Sequence, residues 1–100
     1  MNIMDLSAHS SAVISDICRK YHIREMAVFG SAARGESDAN SDIDVYVDFA
    51  PGYHPGLGWF DLEEELESVL GRRVDLSRKS LLKPRVRREA LRDAVVLYAA

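Results

Sequence analysis

The stretch Asp42-Ile43-Asp44-Val45-Tyr46-Val47-Asp48-Phe49 decides the fold. Ile43, Val45, Val47 and Phe49 fall on one side of an extended chain, and Asp42, Asp44, Tyr46 and Asp48 on the other. Strict alternation with a period of two is the mark of a β-strand with one face on a core. Upstream, the apolar run Met26-Ala27-Val28-Phe29 ends at Gly30 and reads as a second strand. Between them, Ser31 to Ser41 is small and polar, a loop with room for one helical turn. Further back, Val13, Ile14, Ile17, Cys18 and Tyr21 recur at helical spacing, so Ser7 to Tyr21 is predicted as an amphipathic helix.

Downstream, Ala50 to Gly58 holds two prolines and three glycines and must be a loop. Leu62, Leu66, Val69 and Leu70 predict a second helix, stopped by Gly71. Arg73 to Leu76 alternates again. Pro84 suits the first turn of a basic helix running to about Arg92, and Val95 to Tyr98 ends the series as a short strand. The expected architecture is α/β (α+β): one domain over residues 1–100, with a small mixed β-sheet and helices packed on one face.

Composition narrows the function classes. Apolar residues form 47% of the 100-residue chain and charged ones 29%, which is globular and excludes wholesale disorder. No apolar run approaches the length of a bilayer span, and no secretory leader pattern opens the chain, so a cytoplasmic protein without a membrane partner is expected. Cys18, the one cysteine, has no internal disulfide partner, and no Cys/His spacing suggests zinc. The net charge of −3 conceals an asymmetry: residues 1–71 balance to −9 and residues 72–100 to +6. The basic segment suits either solvated surface or an anion such as a nucleotide phosphate. An acidic total argues against direct nucleic-acid binding.

Asp42, Asp44 and Asp48 crowd the strand face away from the core, and Asp75 joins them if its strand is a neighbour. Carboxylates gathered this way repel one another unless cations neutralise them. Asp42 and Asp44 lie about 7 Å apart along a strand, so their side chains can converge on one metal or bridge two. Paired divalent ions clamp the attacking and leaving oxygens of nucleotidyl transfer, and all-oxygen ligands favour Mg²⁺ or Mn²⁺ over zinc. Gly30 and Ser31 stand where a strand meets a turn: glycine admits an anion to the backbone, and the hydroxyl with nearby N–H groups can hold phosphate. Arg34 can add a guanidinium to the same triphosphate.

The joint pattern, Gly30-Ser31-Ala32-Ala33-Arg34-Gly35 through Ser41-Asp42-Ile43-Asp44-Val45, resembles the signature of the minimal nucleotidyltransferases of the polymerase-beta-like superfamily. Gly71-Arg72-Arg73-Val74-Asp75-Leu76 is similar to that family's third-acid strand, so the resemblance covers nearly the whole chain. It implies a polymerase-beta-like fold, with Gly30 and Ser31 on the triphosphate of ATP. Asp42 and Asp44 would hold two Mg²⁺ ions. Asp75 would complete the nucleophile-side metal and take the proton of the attacking hydroxyl. Arg34 matches the family's arginine.

Larger relatives carry a further domain for the acceptor, so in a chain this short much of the cleft is expected from a partner. Small members of the family are commonly paired with a HEPN-domain toxin. The resemblance therefore implies an antitoxin that transfers AMP from ATP to a hydroxyl of its toxin, a tyrosine in particular. Two other readings stay open: an antitoxin that neutralises by binding alone, and a small-molecule (aminoglycoside-type) nucleotidyltransferase subunit. Cys18 reads as core, Asp48 as a strand cap or ion-pair partner, and the Asp61 to Glu67 run as a solvated helix face. His9, His22 and His54 read as surface or loop. The Tyr53, His54, Trp59 loop reads as packing over the sheet edge, with adenine stacking as its other use.

Overall fold

A computed structural model describes residues 8–36, 38 and 40–100. The first helix, α1 (Ala8–Lys20), leads into strand β1 (Ile23–Phe29) and a single helical turn, α2 (Gly30–Ala33). Strand β2 (Ile43–Phe49), helix α3 (Gly58–Leu70) and strand β3 (Val74–Arg78) follow. A 3₁₀ turn at Lys79–Leu81, helix α4 (Pro84–Asp93) and strand β4 (Val95–Ala99) end the order. The expected elements are all present. Their ends move by a few residues at most; the part of the first helix that was expected at Ser7 lies outside the described residues.

The four strands form one mixed sheet in the order β3-β2-β1-β4. β1 pairs antiparallel with both β2 and β4, while β2 and β3 run parallel, joined by α3 as the crossover. Parallel neighbours need such a connection because a tight turn cannot return the chain to the same end.

The core explains the alternation. Ile43, Val45, Val47 and Phe49 of β2 meet Met26 and Val28 of β1 and Val74 and Leu76 of β3 beneath the two long helices. From α1 come Ile14, Ile17, Cys18 and Tyr21, and from α3 Leu62, Leu66 and Leu70. Burying leucines of this kind stabilises by about 1.5–3 kcal/mol each. Gly71 closes α3 at φ 70°, a left-handed geometry that spares glycine a Cβ clash, and its N–H caps the Glu67 carbonyl.

Not all of the acidic run on α3 is solvated. Glu65 accepts from Lys20 Nζ at 2.6 Å and from Tyr21 Oη at 2.5 Å, tying α3 to α1. Glu67 Oε2 accepts the Val74 N–H at 2.9 Å and so fastens the helix to the edge strand.

The sheet's other side carries Tyr46 and its register partner Ala27, both buried, with Phe29 stacked on Tyr46 at 5.9 Å between ring centres. Helix α4 lies on this side: its buried Ala90 shares a cavity wall with Phe29 and Asp44. Thus α1 and α3 share one face, but the expectation of all helices on one face does not hold: the shorter basic α4 borders the acid face, where its buried Ala90 packs. No described helix is long and apolar enough to cross a membrane.

Candidate active site

Three chain segments meet at one end of the sheet. β1 ends at Phe29, whose register partner on β2 is Asp44. Asp44 in turn is the register partner of Asp75 on β3. Partners in register project to the same face, so Asp44 and Asp75 stand side by side on adjacent strands. Asp42 lies two residues before Asp44, just ahead of the strand.

Gly30 makes the turn. It has φ +71°, and a Cβ added there would lie 2.5 Å from Asp44 Oδ2. Both observations demand glycine: the backbone is left-handed and the carboxylate occupies the space a side chain needs. Ser31 and Arg34 line the same cavity as Gly30 and Asp44. Four of the six residues picked out from the sequence, Gly30, Ser31, Arg34 and Asp44, therefore bound one hollow, with Asp75 next to Asp44.

The electrostatics mark Asp44. Its carboxyl is held above the usual carboxylate range chiefly by burial, then by the charges of Asp75 and Asp42, with Arg34 opposing. A half-buried carboxylate beside two like charges is a place where a cation relieves repulsion. The donor set, carboxylate oxygens only, suits a hard divalent ion. Among the described residues, no three such side chains stand close enough to hold a metal ion together. Asp42 is turned instead toward Arg73, at 3.7 Å from Asp42 Oδ1. That contact is a weak one, because both side chains are solvated.

Arg34 is also engaged. Its Nε donates to Glu36 Oε2 at 3.0 Å and its Nη1 to Asp93 Oδ2 at 3.2 Å. These two acids, Glu36 first, hold its guanidinium above its usual range. Asp93 and Glu89, from α4, had no local sequence signal that would place them beside a site some 50 residues earlier, yet both line its cavity. The loop before Asp42 is pinned by Arg72 Nη2, which donates to the Asp38 and Ser41 carbonyls at 2.5 Å each. Asp38 Oδ1 accepts from the Asn40 N–H at 2.9 Å and from Ser41 Oγ at 3.1 Å, an Asx turn.

Other candidates resolve into structure. Asp48 pairs with Arg24 at 3.1 Å, four residues along β2 from Asp44 and outside the acid group. Tyr53 packs at a tilt against His22 and Phe49, and Trp59 against Phe49. That aromatic cluster sits at the opposite end of β2, roughly 16 Å along the strand from Asp44. The loop packs over the sheet there, at the end of β2 away from Gly30.

Comparison with known proteins identifies the family. The polymerase beta nucleotidyltransferase family matches residues 13–100, and the chain belongs to it. It is a nucleotidyltransferase of the minimal kind. The protein adenylyltransferase MntA of Thermococcus cleftensis is 41% identical over 92 residues, covering 90% of this chain and 86% of that protein. A solved structure assigned as a minimal nucleotidyltransferase is 39% identical, with a TM-score of 0.76 and 95% of each chain covered. The MNT antitoxin in complex with the tri-AMPylated HEPN toxin of Shewanella oneidensis shares the fold, with a TM-score of 0.64 at 20% identity; 92% of this chain and 71% of that one are covered.

Proposed function

We propose that this chain transfers AMP from ATP to a hydroxyl group, a tyrosine in particular, on a HEPN-domain toxin, and so acts as its antitoxin. One observation carries the reading: Asp44 and Asp75 lie in register beside a left-handed glycine turn whose missing side chain leaves room for the Asp44 carboxylate. The adenylyltransferase name of the Thermococcus relative and the antitoxin role of the Shewanella neighbour support the choice of acceptor.

Asp42, Asp44 and Asp75 would hold Mg²⁺, which supplies charge neutralisation for the triphosphate and for the acids themselves. Gly30 leaves the backbone open to a phosphate oxygen, and Ser31 offers its hydroxyl as a donor. Asp75 is exposed on the edge strand, where a partner's hydroxyl can approach from outside the sheet. Its carboxylate takes the hydroxyl proton as the oxygen attacks the α-phosphorus. The bond from that phosphorus to the bridging oxygen breaks, and pyrophosphate departs with its electron pair. Arg34 gives the triphosphate a planar fork of donors.

Incubation with ATP, Mg²⁺ and the toxin should add one or more AMP units to the toxin's mass. Transfer that persists in the Asp42→Asn, Asp44→Asn double variant overturns the mechanism. A second reading, neutralisation by binding alone, draws on Asp42 being turned to Arg73 and Arg34 to two acids. It predicts that the same double variant still protects cells from the toxin.

A further inference from the structure

Helix α4 supplies a wall of the cavity of about 350 Å³ that holds Gly30, Ser31, Arg34 and Asp44. The contact that crosses from this wall to the phosphate-side residues is Asp93 Oδ2 to Arg34 Nη1 at 3.2 Å. We propose that Asp93 is a positioning residue, holding the Arg34 guanidinium so that it meets the nucleotide's triphosphate in a fixed orientation. The inference rests on the nucleotide reading above and adds a residue from an element that the signature does not include.

Three observations carry it. First, the two carboxylates on Arg34 differ in kind. Glu36 is two residues away in the same loop and its side chain is 62% exposed, whereas Asp93 ends a helix and is 18% exposed. An exposed neighbour in a loop fixes little, while a sheltered one on a helix imposes geometry. Second, the wall that carries Asp93 is anchored: Ala90, one turn earlier on α4, is buried, and both residues line the cavity with Arg34. Third, the arithmetic of donors leaves a function for the guanidinium. Arginine has five N–H groups; Glu36 engages the one on Nε and Asp93 one on Nη1, so three remain for phosphate oxygens. A free arginine loses rotamer freedom when it grips an anion, and one already held loses less.

The test is a double-mutant cycle on the full chain, read by calorimetric binding of a non-hydrolysable ATP analogue with Mg²⁺. Asp93→Ala should weaken binding on the order of tenfold, the scale of one oriented charge-assisted hydrogen bond. Arg34→Ala should weaken it at least as much. The double variant should bind no worse than Arg34→Ala alone, because Asp93 acts only through that arginine. Asp93→Asn, which keeps an acceptor oxygen and the volume, should retain part of the affinity. Equal losses from Asp93→Ala in both backgrounds would make Asp93 a general structural residue and overturn the proposal. Tighter binding on its removal would make it a competitor of phosphate and overturn it as well. If the unaltered chain does not bind the analogue, the nucleotide reading falls and this inference with it; binding without the Arg34–Asp93 coupling sinks the inference alone.

Discussion

Replacing Gly30 with alanine separates two costs that the structure makes calculable. The first is conformational: Gly30 sits at φ +71°, and an L-residue held in the left-handed region loses about 1–2 kcal/mol. For a chain of this size that corresponds to a fall in Tm of roughly 4–16 °C. The second cost is local. The new Cβ would lie 2.5 Å from Asp44 Oδ2, while ordinary contact begins near 3.4 Å, so the carboxylate must retreat by about 0.9 Å. Misplacing a reacting group by about 1 Å can lower a rate on the order of 100-fold. Gly52→Ala is the control: it has φ +79° with nothing within 4 Å, so it carries the backbone cost without the collision. Thermal unfolding should show both variants destabilised, Gly30→Ala at least as much as Gly52→Ala, and AMP transfer, assayed well below either Tm, should fall on the order of 100-fold only in Gly30→Ala. A Gly30→Ala chain that transfers AMP as fast as Gly52→Ala refutes the idea that Asp44 needs the space left by the missing side chain.

Asp44 also predicts a dependence of stability on pH. Its folded-state value is raised, chiefly by burial and then by Asp75 and Asp42, so the folded chain binds the proton more tightly than the unfolded one. Its contribution to stability therefore falls as pH climbs from about 4 upward, and Asp44→Asn removes that contribution. Without divalent ions, the variant's Tm advantage over the parent should widen as pH climbs from about 4 upward; parallel curves would refute the assignment. Cys18 is fully buried, and burial pushes its thiol up to about 12, with Arg19 opposing. Iodoacetamide should label it only as fast as the chain unfolds, and rapid labelling of the native protein would show that the core is open there.

The parts legible in the sequence were those with a local cause. The period of two in Asp42 to Phe49 reveals the strand, its buried face and the acid face together, because the pleat ties all three. Gly71 and Pro84 mark a helix end and a helix start for backbone reasons that neighbours do not alter. What stayed hidden depends on residues far apart in the chain. Nothing near Arg85 or Arg88 tells which side of the sheet α4 will occupy, since that follows from how β4 returns to pair with β1. The Arg34–Asp93 contact spans 59 residues, and Arg72 reaches back 34 and 31 residues to the Asp38 and Ser41 carbonyls. Partners at such distances leave no periodicity. Glu65 and Glu67 show the same limit: within an acidic run they look alike to their neighbours, yet Tyr21 and Val74 set them apart.

Placing the aromatic cluster at the far end of β2 gives this protein a convenient optical property. Trp59 is its sole tryptophan and packs against Phe49, at the end of β2 away from Gly30 and Asp44. Its emission thus reports loss of tertiary packing at a place apart from the phosphate turn. Melting curves followed by that emission therefore report on the packing at this end of the sheet.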